Sequence, residues 1–356
     1  MSKIVIHIVG TGTIGEPLIG MFIDFKEKLG VDEVTFHKNT ALRGDRSKVQ
    51  DLLRRGARLA VNEDAKNGFL ELGINPTYEA VEAIDNATVV IDCTPRGIGH
   101  KNKLDYYSKF THNTKGFIAQ GSEFGFGKPY ARGVNDEALI PDEDQFIQVV
   151  SCNTHNISAL LNTVAFSNKD YDNLVEGQFV CIRRANDISQ NSNFIPAPEV
   201  GKHSDDKFGT HHARDAATLF KTIGVEPNIF SSALKVNSQY MHIVYFDIKL
   251  KEKLTLERLY ERFEANPLVA MTHKLSTSTV FSFGRDHGHY GRILNETVVV
   301  KPTLHLKNEH EIVGYSFTPQ DGNSLLSSIS AALWLINPET QHENLQCLQD
   351  LFFEEV

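Results

Sequence analysis

The residues best placed to do chemistry centre on Cys152. It stands in Ser151-Cys152-Asn153-Thr154-His155-Asn156, directly after an apolar stretch at 146–150 and before the helical spacing of Ile157, Leu160, Leu161 and Val164. A cysteine at a helix start has its thiolate stabilised by free N–H groups and the positive dipole end, which lowers the thiol pKa. The neighbouring hydroxyls and amides of Ser151, Asn153 and Thr154 suit an oxyanion. A buried structural cysteine explains the same local features equally well. A thiolate nucleophile needs a partner to manage its proton and the oxygen it creates. Of the 15 histidines, His155, His211, His212 and His242 are candidates. His211 and His212 lie in a polar loop leading into a helix, whereas His242 sits in an apolar strand pattern and needs a partner there. Arg183 and Arg184 close another strand and can grip an anion bidentately, although paired arginines are commonly surface charge.

A second constellation opens the chain. Gly10-Thr11-Gly12-Thr13-Ile14-Gly15 fits G-x-G-x-x-G, with a β-branched run at 4–9 before it and a helical pattern at 14–28 after it. The first glycine permits the tight turn, the second lets backbone approach a pyrophosphate, and the third lets helix pack on strand. Strands that bind NAD place an acid near the end of the second strand, for the ribose 2′-hydroxyl. Here residues 35–40 read Thr-Phe-His-Lys-Asn-Thr, with no acid. Lys38, Asn39 and Thr40 can instead meet a 2′-phosphate, which favours NADP over NAD unless Lys38 is a solvated loop lysine.

The elements that must position these residues follow from periodicity. Strands are predicted at 33–36, 87–92 and 116–118, and helices at 48–55 and 80–84. Strands alternating with helices imply a doubly wound parallel sheet of the Rossmann type, with ligands at its carboxyl edge. After Cys152 long alternating stretches appear at 178–183, 240–250, 297–306 and 311–317. They predict an α+β catalytic domain with a mixed or antiparallel sheet. An apolar helix at 323–336 carries the single tryptophan, Trp334. The expected division is residues 1–151 plus 321–356 as the dinucleotide domain and 152–320 as the catalytic domain, closely packed because no flexible linker separates them.

Composition agrees with this reading. At 356 residues the chain exceeds one ordinary core. A net charge of −9 argues against a nucleic-acid surface. Four cysteines, at 93, 152, 181 and 347, have neither disulfide-scaffold nor zinc spacing, so no metal is expected. The first residues lead straight into a strand without a signal pattern, and no run approaches the roughly 18 apolar residues of a membrane span. A cytoplasmic protein with reduced thiols is expected.

Taken together, the motifs resemble the archaeal-type (class II) glyceraldehyde-3-phosphate dehydrogenases. The likeness runs in order through residues 10–15, 92–103 (DCTPRGIGHKNK), 120–123 (QGSE), 149–154 (VVSCNT), 182–187 (IRRAND), 211–215 (HHARD) and 241–242 (MH). The resemblance implies that Cys152 is the nucleophile and His242 its acid–base partner. It implies that Thr94 and Gly121 line the cofactor groove, that Gln320 reaches the nicotinamide, and that Arg183 and Arg184 lie near the cofactor or anion pocket. His212, beside His211, would touch the substrate or its phosphate. The implied reaction oxidises a phosphorylated aldehyde with inorganic phosphate through a Cys152 thioester, in a homotetramer. Two motifs depart from the family: SCNTTGL reads SCNTHNI here, so His155 and Asn156 replace threonine and glycine, and HHGPD reads HHARD. Extra residues occur around 171–177 and 190–194. A related semialdehyde dehydrogenase or acyl-phosphate reductase shares the thiolate step, and a non-catalytic dinucleotide-binding protein is the rival from another class.

Overall fold

The protein is described by a computed structural model over residues 3–188, 190, 194–319 and 321–356. Gln320 and part of the 190–194 insertion lie outside the described residues. The chain divides into two compact units, each with its own eight-stranded sheet.

The first unit gathers the chain up to Pro129, Leu139–Val149 and Ser327–Gln349. Its strands are β1 (Val5–Val9), β2 (Glu33–His37), β3 (Arg58–Val61), β4 (Tyr78–Glu79), β5 (Val89–Asp92), β6 (Gly116–Ala119), β7 (Lys128–Tyr130) and β8 (Phe146–Val149). They lie in the order β4-β3-β2-β1-β5-β6-β8-β7, and every pairing from β4 through β8 is parallel. The helices α1 (Gly15–Asp24), α2 (Arg46–Arg54), α3 (Lys66–Glu71), α4 (Ala80–Asp85) and α5 (Ile98–Asp105) connect them. This is the Rossmann-like α/β sheet that alternation predicted. The β-branched run of β1 is buried along its length, as a strand covered on both faces must be. His7 is accommodated there because its Nδ1 hydrogen-bonds Thr35 Oγ1 at 2.7 Å. A stack of Tyr107, Phe117 and Phe146, with ring centroids 5.0 and 5.2 Å apart, fills the space under β6.

The second unit holds Tyr130–Ala138, Val150–Leu326 and the chain from Asp350 onward. Its strands are β9 (Leu174–Arg183), β10 (Glu199–Val200), β11 (Ile229–Lys235), β12 (His242–Leu250), β13 (Val269–Thr272), β14 (Thr297–Val300), β15 (His305–Asn308) and β16 (Glu311–Thr318). The order is β10-β11-β9-β12-β16-β14-β13, with β15 on β16. The sheet is mixed: β9 with β11 and β13 with β14 are parallel, and the other pairings are antiparallel. Against it pack α6 (Cys152–Val164), α7 (His211–Lys221) and α8 (Leu256–Glu264), while Val280 of α9 (Thr277–His287) clusters with Ala270, Val298 and Val300 of β13 and β14. Two final helices follow, α10 (Gly322–Ile336) and α11 (Gln341–Leu345).

Some expectations from periodicity need correction. The stretch at 297–306 is not one strand: Pro302 lacks an N–H to donate, and the chain turns at Lys301–Thr303 between β14 and β15. The first helix ends at Asp24 rather than near residue 28. Residues 130–138, 150–151, 321–326 and 350–356 group with the second unit, although the sequence placed them with the first. Ala131 and Val134 join the second unit's core, and Val356 N–H donates to Met271 O at 2.9 Å. No described helix is long and apolar enough to cross a membrane.

Candidate active site

In the first unit the glycine motif forms a cradle at the carboxyl end of β1. Gly10 has φ +99°, and a Cβ on Gly15 would stand 2.1 Å from Gly10 O, so the loop folds back on its own helix start. A Cβ on Gly12 would meet nothing within 4 Å, leaving that face of the loop open. Ile14 provides α1 with no side-chain cap. An open glycine face beside a helix N-terminus is what a pyrophosphate requires. Thr13 and Ile14 flank it, half-buried. Thr94 follows β5 and is fixed by buried Asp92, whose Oδ1 accepts from Thr94 N at 2.9 Å and from its hydroxyl. Asn102 and Tyr107 hold the other carboxylate oxygen, at 2.8 and 2.6 Å. Gly121 follows β6 beside Gln120, whose Nε2 donates to Ser328 Oγ at 3.0 Å and whose buried Oε1 has no hydrogen-bond partner among the described residues.

At the end of β2, Asn39 accepts from Asn62 at 2.9 Å and Thr40 is exposed. Lys38 is not a solvated loop lysine. Its side chain is only 11% exposed, and Nζ lies 2.6 Å from Asp45 Oδ2. An acid therefore does stand at this strand end, delivered from residue 45.

In the second unit the candidate nucleophile opens α6. Ser151 caps the helix, its Oγ accepting from Thr154 N at 3.4 Å and meeting Thr154 Oγ1 at 2.8 Å. Asn323 Nδ2 donates to the carbonyl oxygens of Cys152 and Glu296, both at 3.1 Å. Asn153 Oδ1 accepts from Thr318 Oγ1 at 3.0 Å, and that hydroxyl also accepts from Asn156 Nδ2 at 2.8 Å. Thr318 is the strand partner of His242, so this network ties the start of α6 to β12 and β16.

Burial outweighs the helix end at the thiol. Desolvation, with the charges of Asp321 and Asp187, pushes Cys152 up to about 11 against the pull of Arg184 and Arg183. This reverses the direction that the helix start alone predicts. Arg184 is buried; it pairs with Asp187 at 2.6 Å and stands 3.7 Å from Asp321, while Arg183 is exposed. The backbone N–H of Arg184 donates to His242 Nδ1 at 2.9 Å. A neutral His242 thus carries its proton on Nε2. Burial and the nearby charges of Arg184, Arg183 and His212 hold its pKa well below the ordinary histidine range. His212, at the start of α7, is buried with neither ring nitrogen hydrogen-bonded among the described residues, and its ring centroid lies 4.0 Å from that of exposed His211.

His155 is fully buried. Its Nδ1 donates to Ser151 O at 3.0 Å, and its Nε2 faces Glu296 Oε2 at 3.9 Å. That separation is too long for a hydrogen bond, and among the described residues neither Glu296 oxygen has a hydrogen-bond partner. Burial drives the imidazole down to about 4, so it is neutral near pH 7, and pushes the Glu296 carboxyl well above the usual range. Among the described residues no group of three or more His, Cys, Asp or Glu is placed to hold a metal ion.

No protein-family model matches the chain. A protein from Sulfolobus acidocaldarius named glyceraldehyde-3-phosphate dehydrogenase is 26% identical, the match covering 97% of this chain and 96% of that one. The proteins of the same name from Methanopyrus kandleri and Pyrococcus furiosus are 27% and 28% identical, over 86% and 70% of this chain and 85% and 70% of theirs. The chain is similar to these archaeal proteins named glyceraldehyde-3-phosphate dehydrogenase. The resemblance carried by its ordered motifs thus extends over most of its length.

The structure brings Ser151, Cys152, Asn153, Thr154, Arg184 and His242 into connected networks in one unit, and collects Gly10–Gly15, Lys38, Asn39, Thr94 and Gly121 in the other. Sequence reasoning missed Asp45, Glu296, Asp321 and Asn323. Asp45 sits seven residues from Lys38 in a turn without periodicity. Glu296, an acid preceding the apolar run of β14, carries the signature of a solvated strand end although it is buried.

Proposed function

We propose that this protein is a nicotinamide-dependent aldehyde dehydrogenase of the glyceraldehyde-3-phosphate type, acting through a Cys152 thioester. The observation that carries the reading is the thiol on the first turn of α6, whose helix start bonds through Asn153 to Thr318, the strand partner of a neutral His242 that Arg184 N–H orients. Gly10, Gly12, Thr13, Ile14, Gly15, Thr94 and Gly121 would hold the dinucleotide, with Arg184 and Gln320 assigned to it by resemblance. When bound, the nicotinamide supplies the hydride acceptor.

The thiolate of Cys152 adds to the aldehyde carbon and the carbonyl oxygen gains negative charge. His242, in the tautomer fixed by the Arg184 N–H, offers Nε2–H to that oxygen. Arg184 favours the thiolate electrostatically, and its backbone orients His242. After oxidation the acyl group remains on sulfur. An oxygen of inorganic phosphate then attacks the thioester carbon, releasing an acyl phosphate and the Cys152 thiolate. Exposed Arg183 and the start of α7, with His211 and His212, are the groups suited to the substrate's phosphate. His155 takes no direct part, because its ring is buried against Ser151 and Glu296.

The test is dinucleotide-dependent oxidation of glyceraldehyde 3-phosphate, with and without inorganic phosphate, beside unphosphorylated and carboxylated aldehydes. The reading expects the phosphorylated aldehyde to be preferred and phosphate to be consumed. Preference for a semialdehyde would assign the thiol to the neighbouring reductase class.

A further inference from the structure

The end of β2 holds a compact charge cluster. Lys38 Nζ lies 2.6 Å from Asp45 Oδ2, and Lys48 Nζ lies 3.5 Å from Asp45 Oδ1. Lys48 also stands 3.7 Å from Glu16 and donates to Thr11 O, inside the glycine loop, at 3.0 Å. Two ammonium groups are thus matched by two carboxylates, on the edge where a dinucleotide's adenosine ribose is recognised in folds of this kind. The hydrogen bond from Lys38 holds Asp45 below the usual carboxylate range, so Asp45 is ionised at neutral pH.

We infer that Asp45 selects the dinucleotide, favouring NAD and rejecting NADP. The inference rests on the cradle's being a dinucleotide site. A ribose 2′-hydroxyl can donate to Asp45 while Lys38 stays paired. A 2′-phosphate brings close to two negative charges. To reach Lys38 it must displace Asp45 and leave that carboxylate beside it, and like charges in one site oppose each other. The residues at 35–40 alone suggested the opposite preference, because the acid that reverses it comes from the turn before α2. Lys48 makes the arrangement rigid by bridging Asp45 to the pyrophosphate loop.

Isothermal titration of the intact protein with NAD+ and with NADP+ tests this without reference to turnover. The wild type is expected to bind NAD+ at least about tenfold more tightly than NADP+, a difference of about 1.4 kcal/mol. Asp45→Asn removes the charge at constant size and should shift the ratio toward NADP+ by about tenfold, with Asp45→Ala moving it the same way. Adding Lys38→Met to Asp45→Asn should abolish that gain. A wild type that prefers NADP+, or a ratio unmoved by either Asp45 substitution while both cofactors still bind, overturns the inference alone. Binding of neither dinucleotide overturns the cradle reading and the inference with it.

Discussion

Replacing Glu296 by glutamine should stabilise the protein, increasingly so as pH rises. The carboxyl is 1% exposed, has no hydrogen-bond partner on either oxygen among the described residues, and stands 3.9 Å from an imidazole that burial keeps neutral. Its folded pKa is therefore raised above the unfolded value of 4.5. Below about pH 4.5 the group is protonated in both states and costs nothing. As pH rises, the unfolded chain ionises first, so stability falls by about 1.4 kcal/mol per pH unit until the folded pKa is reached. His155 has the opposite sign: its folded pKa of about 4 lies below the unfolded 6.5, so its contribution is present above pH 6.5 and lost as pH falls. The two slopes oppose each other below pH 6.5, and above it Glu296 acts alone. Subtracting wild type from Glu296→Gln isolates the carboxyl. Urea midpoints for both proteins at pH 5, 6, 7 and 8 should diverge by that slope, then level off at the folded pKa. A difference that is flat with pH would show that Glu296 is ionised in the fold, paired with an imidazolium, and would refute the reasoning.

Three further outcomes follow from the same geometry. Asp321→Asn removes the largest charge raising the Cys152 pKa; a drop of about one unit, discounted for the lower nucleophilicity of a more acidic thiol, should speed iodoacetamide labelling at pH 7.5 about threefold. In the ligand-free protein Cys152, at about 11, should alkylate before Cys181, at about 12 and fully buried, and before Cys93, which burial and Asp92 push higher still; peptide mapping over a time course reads the order. Gly322→Ala should be severely destabilising, because its Cβ would lie 1.7 Å from Ile293 O and force apart the turn that presents Asn323 to Cys152. A loss of roughly 3 kcal/mol or more is expected by chemical denaturation.

Local patterns disclosed the frame of the molecule more readily than its electrostatics. The β-branched run of β1, the glycine loop and ATVVID are legible because burial on both faces demands continuous apolar strands. The alternation of β12 and β16 likewise exposed the second sheet. Two kinds of element escaped: β4 has only two residues, and β11, IFSSALK, is interrupted by two serines that break its apolar pattern. At the candidate site the thiol and its helix were visible because the N-cap signal is local. The pKa direction was not, since it depends on burial and on Asp321, distant in sequence. The same holds at β2, where Lys38 was seen without Asp45. His155 marked a departure from the relatives, yet only the fold shows that it faces Glu296 and Ser151 rather than an open pocket.

The central claim is that the acyl group is carried on Cys152, and a single turnover tests it most directly. Enzyme mixed with glyceraldehyde 3-phosphate and oxidised dinucleotide, in the absence of phosphate, should release reduced dinucleotide in a burst equal to the concentration of sites. Acid quench and peptide mapping should then find the acyl adduct on Cys152, and Cys152→Ser should show neither burst nor adduct. An undiminished burst in Cys152→Ser, or an adduct on another residue, would contradict the account.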